Sequence, residues 1–258
     1  MIGLIDSHCH LQDERFDGIR DAVIERARAA GIIKMVCCGT SGQDWLKVKA
    51  LAEEYPVIIP SFGLHPWYVK ERSRDWLSNL ERFLREFPSG VGEIGLDHVV
   101  AKEATERQEQ REVFVAQLEL AQTLKRPVSI HCRRAWEALP EVLEQVGALL
   151  AGGIVHSYSG GPEMLTLLQK YGLAISFSGS ITRTNNVRGR RAVQGVPLEM
   201  LLVETDSPDI LPEGTQGLNE PANLLRVIKA VSDIRGISEA EVARITTENA
   251  RRIFMTGS

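Results

Sequence analysis

Six histidines are the residues of this chain best suited to chemistry: His8, His10, His65, His98, His131 and His156. Five of them end an apolar, strand-like run or follow one closely. His8 and His10 stand two apart on an extended segment, so period-two alternation points both imidazoles to one side and Cys9 to the other. One strand then offers two nitrogens to one metal. His131 ends PVSIHC and His156 follows GGIV, which puts each imidazole at the rim of an apolar core. Singly, each would read as a hydrogen-bonded structural residue; together they read as convergent ligands. Glu93 in VGEIG and Asp206 in LLVETDSP are carboxylates after apolar runs, a costly place unless they are paired or metal-bound. Four histidines, one glutamate and one aspartate fit two divalent cations sharing a bridging carboxylate. Such a site clamps the attacking and leaving oxygens of an in-line displacement.

Ligands gathered from all along the chain need a scaffold that brings strand ends together. Eight strand-like runs recur, at 3–9, 32–39, 57–63, 89–95, 127–132, 152–158, 173–179 and 200–206. Amphipathic patterns lie between or after them, at 21–31, 76–87, 112–125 and 222–234. A last helix over 237–254 opens with a Ser238-x-x-Glu241 capping box. Eight strand–helix units over roughly 250 residues predict an α/β fold, the (β/α)8 TIM barrel, with active residues at the C-terminal ends of the strands. A doubly wound open sheet also alternates, but it often carries a glycine-rich phosphate turn after its first strand, where this chain has His-Cys-His. No linker or repeat divides the chain, so residues 1–258 are expected to form a single domain.

Composition narrows the function classes. The 258 residues carry 30 basic and 34 acidic side chains, a net charge of −4, which excludes a uniformly basic nucleic-acid binder. No apolar window is long enough to span a membrane. The opening MIGLIDSHCH lacks the basic and apolar regions of a signal peptide. Cys9, Cys37, Cys38 and Cys132 include no C-x-x-C pair and suit a reducing, cytoplasmic compartment as packing residues.

The motifs DSHCHL (6–11), GLHPW (63–67), GEIGLD (92–97), IHCRRA (130–135), VHSYSG (155–160), ISFSGSIT (175–182) and VETDSP (203–208) resemble those of the TatD-type metal-dependent deoxyribonucleases. NEPAN (219–223) and TTENARRIF (246–254) match as well. The resemblance spans essentially the whole chain, in order. It implies that His8, His10, Glu93 and Asp206 hold one metal and that Glu93 bridges to a second, completed by His131 and His156. It also implies that His65 and Arg133 lie near the scissile phosphate. The activity implied is Mg²⁺-dependent hydrolysis of DNA, often from the 3′ end of single strands. Two departures concern the rim: His98 replaces an aromatic residue, and Arg134 stands where many relatives have an acid.

Phosphodiester hydrolysis needs a deprotonated water, neutralised phosphoryl oxygens and a stabilised leaving oxygen, all of which metal ions can supply. Asp206 is the candidate to orient the water and take its proton, with Glu93 and His65 as further catalytic residues. Glu204 reads either as support for a ligand or as half of a buried ion pair. Histidine-rich sites favour Zn²⁺, Mn²⁺, Fe or Ni as the tightly bound ion, whereas Mg²⁺ prefers oxygen ligands; the resemblance implies two divalent cations with Mg²⁺ or Mn²⁺ serving activity. The segment TRTNNVRGRR (182–191) has four arginines and no acid; Arg183 in it is a candidate substrate contact, and a solvated helix face is the other reading. Trp67 and Tyr68 either stack a base or pack on a loop. The expected partner is DNA, single-stranded or at its 3′ ends, with no membrane, and a monomer is compatible with the sequence. The same ligands would serve a hydrolase of small phosphoesters, amides or lactones. A non-catalytic metal-binding protein would be expected to lack some of them.

Overall fold

Apolar runs alternating with amphipathic ones fold here as strands and helices in strict succession. In the computed structural model the strands are β1 (Leu4–Cys9), β2 (Ile32–Cys38), β3 (Ile58–Phe62), β4 (Gly90–Asp97), β5 (Val128–Arg133), β6 (Gly153–Val155), β7 (Leu173–Phe177) and β8 (Leu201–Val203). The helices are α1 (Arg20–Ala29), α2 (Trp45–Glu54), α3 (Trp76–Glu86), α4 (Ala104–Leu124), α5 (Ala138–Val146), α6 (Leu165–Lys170), α7 (Val187–Gly195), α8 (Leu224–Arg235) and α9 (Glu239–Phe254). The structure describes residues 3–255. Met1 and Ile2, where the signal-peptide reading starts, and Thr256–Ser258 lie outside the described residues, so the ends of the 1–258 domain do too.

All eight strands are parallel and neighbours in sheet order are neighbours in sequence, the arrangement of the expected barrel. The ladder runs from β1 to β8, and shorter links close the β8–β1 seam. Asp206 N–H donates to the His8 carbonyl at 3.0 Å, and His10 N–H donates to the Ser207 carbonyl at 2.7 Å. Deeper in the seam, the Asp6 carboxylate accepts the Thr205 N–H at 3.0 Å and the Thr205 hydroxyl at 2.5 Å. The closure therefore runs through the segments that carry His8, His10 and Asp206.

Three boundaries differ from the sequence reading. The runs at 152–158 and 200–206 form strands of three residues each, which leaves His156, Glu204 and Asp206 on the loops beyond. Left-handed backbone at Ser157 (φ 40) and Asp206 (φ 56) turns the chain out of the ladder there. Helix α4 starts at Ala104, well before 112. Its first turns are polar and show no apolar period; Glu106 secures them by accepting the N–H groups of Lys102 and Glu103. Ser238 caps α9, accepting the Glu241 N–H at 3.2 Å, but among the described residues Glu241 does not return the bond that a full capping box requires.

Gly95 lies in β4 with φ 140, packed against the backbone of His131 on β5, where a Cβ would overlap the His131 carbonyl oxygen. Gly95→Ala is expected to destabilise the barrel by about 2–3 kcal/mol. Denaturant unfolding checks this, and an unchanged midpoint would mean that β5 moves aside freely.

Candidate metal centre

Glu93, buried in β4, is the point on which the ligand candidates converge. Its two carboxylate oxygens face different histidines. Oε2 lies 3.4 Å from His8 Nε2 and 3.2 Å from His10 Nε2. Oε1 lies 2.9 Å from His131 Nδ1, 2.8 Å from His156 Nε2 and 3.2 Å from His65 Nε2. Asp206 stands on the first side, with Oδ1 3.8 Å from His8 Nε2 and 3.6 Å from His10 Nε2. The alternation expected of His8-Cys9-His10 holds: the imidazole Nε2 atoms are 3.1 Å apart, while the Cys9 thiol points away to the Val36 carbonyl.

The far nitrogens of these rings divide them by hydrogen-bonding role. His10 Nδ1 meets the Cys38 carbonyl at 2.8 Å, His131 Nε2 meets Asp97 at 3.2 Å, and His156 Nδ1 meets Glu204 at 3.3 Å. A carbonyl or carboxylate only accepts, so each far nitrogen carries a proton and the near nitrogen is the one presented to Glu93. His8 Nδ1 pairs with the Ser129 hydroxyl at 2.7 Å, which serves the same end. Metal-ligating histidines are held in this way. His65 is the opposite case. Its Nδ1 accepts the Trp67 N–H at 3.2 Å, so Nε2 bears the proton and donates to Glu93. His65 is a hydrogen-bond donor in this cluster.

Four groupings place ligand atoms within 4.8 Å of one another: His8–His10–Asp206, His8–Glu93–His156, His65–Glu93–His131 and His156–Glu204–Asp206. The donor set fits divalent cations. The buried Oε2 of Glu204 also has no hydrogen-bond partner, so an electropositive centre would meet an unsatisfied acceptor. Charges are strongly displaced. Burial lowers the His8 and His65 pKa values to about 4, which keeps both rings neutral. Burial acts the same way on His10, but Glu93 and Asp206 overcome it and raise that group to about 10. Burial pushes Asp206 up to about 7 against the pull of His156 and His10. Glu93 is held well below the usual carboxylate range because His65, His156, His10 and His131 outweigh its desolvation.

The remaining sequence candidates divide clearly. Glu204, fully buried, contacts His156 and the Ser157 N–H and has no Lys or Arg partner, which favours support of a ligand over an ion pair. His98 lies beyond β4, half-buried, and joins none of the groupings. Arg133 is exposed at the end of β5, two residues past His131. Arg183 is exposed and donates to the Leu211 carbonyl; nothing among the described residues links it to the cluster. The arginines of 182–191 are partly engaged, since Arg188 pairs with Glu163 at 2.7 Å and Arg190 donates to the Ile181 carbonyl. Tyr68 packs with Leu64, Val69 and Val113. Trp67 is 48% exposed, stands edge-on to His65 with centroids 5.0 Å apart, and donates its indole N–H to Asp97 at 2.6 Å. Sequence reasoning missed Asp97 and Ser129 as orienting groups. Ser129 was within reach of period two, being two residues before His131 and thus on its side of the strand.

A family model described as TatD related DNase matches residues 5–255. The "Uncharacterized metal-dependent hydrolase YabD" of Bacillus subtilis is 32% identical over 97% of this chain and 98% of its own length. The "3'-5' ssDNA/RNA exonuclease TatD" of a Rahnella species is 34% identical over 95% of each. Among solved structures, the crystal structure of YjjV, a TatD homologue from Escherichia coli, superposes with a TM-score of 0.92 at 31% identity. That match covers 99% of this chain and all of the other.

Proposed function

The chain belongs to the TatD related DNase family of metal-dependent hydrolases, and from that premise we propose that it cleaves DNA phosphodiester bonds, removing nucleotides from the 3′ ends of single strands. The observation that carries this reading is the division of the histidines between the two oxygens of Glu93, as a carboxylate bridging two cations requires. His8, His10 and Asp206 would hold one cation and His131 and His156 the other, with Glu93 between them. The named exonuclease relative supports the choice of substrate. One continuous core from Leu4 to Ile253 supports reading the chain as a single barrel domain. Four buried free cysteines support work in a reducing compartment such as the cytoplasm. Among the described residues no helix is long and apolar enough to cross a membrane.

The bound cations, Mg²⁺ or Mn²⁺ in the assay, would acidify water and neutralise the phosphoryl oxygens. The protein's own groups do the rest. Asp206 would orient a water and accept its proton as the oxygen attacks phosphorus; the P–O bond to the leaving oxygen breaks, and that oxygen takes up the proton held on Asp206. Asp97 and Glu204 fix His131 and His156 so that their near nitrogens stay aimed inward. His65 donates its Nε2–H to Glu93 and so helps hold that carboxylate in place. Arg133 and Arg183 neutralise charge on the incoming strand.

Single-stranded DNA labelled at one end and then the other, with Mg²⁺ or Mn²⁺ and then with EDTA, tests the proposal. Shortening from the 3′ end is expected with metal and its complete loss with EDTA. A metal-loaded protein that leaves both labels intact would sink the nuclease reading and point to a small phosphoester, amide or lactone as substrate.

A further inference from the structure

The loops after β5, β6 and β7 enclose a cleft of about 680 Å³ on the same end of the barrel as the histidine cluster. Arg133, Arg134 and Trp136 line it from the β5 side and Arg188 from α7, with Glu137 and Glu163 as its carboxylates. Adjacent residues of an extended segment point to opposite sides. Arg133 and Arg134 nevertheless line one cleft, because Arg134 adopts φ 52. That left-handed conformation is unfavourable for a residue with a side chain, and such strain collects where a side chain must be aimed. Arg188 is tied to Glu163 at 2.7 Å. The guanidiniums of Arg133 and Arg134, by contrast, have no hydrogen bond or ion pair among the described residues. Three guanidiniums against two carboxylates leave the cleft net positive, and an anion between Arg133 and Arg134 relieves their mutual repulsion. Trp136 stands edge-on to Tyr158, with centroids 5.0 Å apart, as an aromatic wall beside them.

We infer that this cleft binds the nucleotide next to the one being released, with its phosphodiester on Arg133 and Arg134 and its base against Trp136. The inference rests on the nuclease reading above. It gives the enzyme a reason to prefer a strand over a single phosphodiester, since only a strand reaches both the cluster and the cleft.

The test uses Arg134→Gly, because glycine suits φ 52 and the variant loses the guanidinium without backbone strain. Arg226→Gln removes an exposed charge from α8 as the control. Binding of a single-stranded phosphorothioate oligonucleotide, which resists turnover, is followed by fluorescence anisotropy on the metal-loaded protein across a salt series. Arg134→Gly is expected to weaken binding about tenfold and to flatten the plot of log K against log salt by about 0.7, one phosphate contact on a single strand. The ratio of kcat/KM for an oligonucleotide to that for bis(p-nitrophenyl) phosphate should also fall about tenfold. Arg226→Gln should leave salt slope and ratio as they are. If the unmodified protein cleaves oligonucleotides and Arg134→Gly matches it in slope and ratio, the cleft assignment is overturned and the nuclease reading stands. If the unmodified protein cleaves the small diester and no oligonucleotide, the nuclease reading itself falls.

Discussion

Asp206→Asn is expected to lower turnover about 10³-fold while metal content stays close to that of the unmodified protein. Asn keeps the size of the side chain and an oxygen able to ligate, but it cannot take up a proton. The position is suited to that loss alone. Asp206 sits at the mouth of the cluster with its side chain 12% exposed, whereas Glu93 is 3% exposed and His8 fully buried. Water therefore reaches Asp206 more readily than either. Its backbone is anchored by the bond from Asp206 N–H to the His8 carbonyl, which the substitution leaves intact. Steady-state hydrolysis together with elemental analysis of the same sample checks both halves of the expectation. Activity within tenfold of the unmodified protein would remove Asp206 as the base and direct attention to Glu204, whose buried Oε2 lacks a partner.

Glu93→Gln should do the reverse, emptying the site before any chemistry is possible. The carboxylate faces five imidazoles within 3.4 Å and offers one oxygen to each half of the cluster. A neutral amide supplies no counter-charge, and its NH2 group would turn a donor toward rings that need an acceptor. Removing one partner of a buried charged set costs about 3–5 kcal/mol. The variant is therefore expected to unfold at lower denaturant and to retain at most one cation of the two proposed. Metal titration calorimetry and denaturant unfolding read these separately. Two cations bound at unchanged affinity would remove Glu93 as the bridge. The contrast between the two variants is informative in itself, since one carboxylate is asked to move a proton and the other to hold charge in place.

His65 and His98 show where sequence legibility ended. Both follow a strand, and strand position alone did not separate them. His65 turns into the cluster because the Trp67 N–H meets its Nδ1, whereas among the described residues His98 bonds through its backbone N–H to the Arg133 carbonyl and its ring joins no grouping. Neither contact has a signature in spacing. Trp67 and Tyr68 are adjacent in GLHPWY, yet one ring is exposed on a bond to Asp97 and the other packs against Leu64 and Val113. Asp97, the group that ties Trp67 to His131, passed unremarked in the motif GLD although it lies four residues after Glu93.

By itself, the sequence determined which surface the candidate residues reach. Apolar runs of strand length separated by amphipathic helices admit a parallel barrel, and the ends of its strands are one surface. Any histidine or carboxylate ending such a run is delivered there, and period two settles on which side His8 and His10 emerge. Only the tertiary structure decided what each does on arrival. The oxygen of Glu93 that faces a given ring, and the ring nitrogen that keeps its proton, depend on the Cys38 carbonyl, Asp97, Ser129 and Glu204, which are 28, 34, 121 and 48 residues from the histidines they orient. Local periodicity acts over a few residues, whereas a hydrogen bond across a barrel is set by strand register and closure, and so the orientation of each ring was decided by packing.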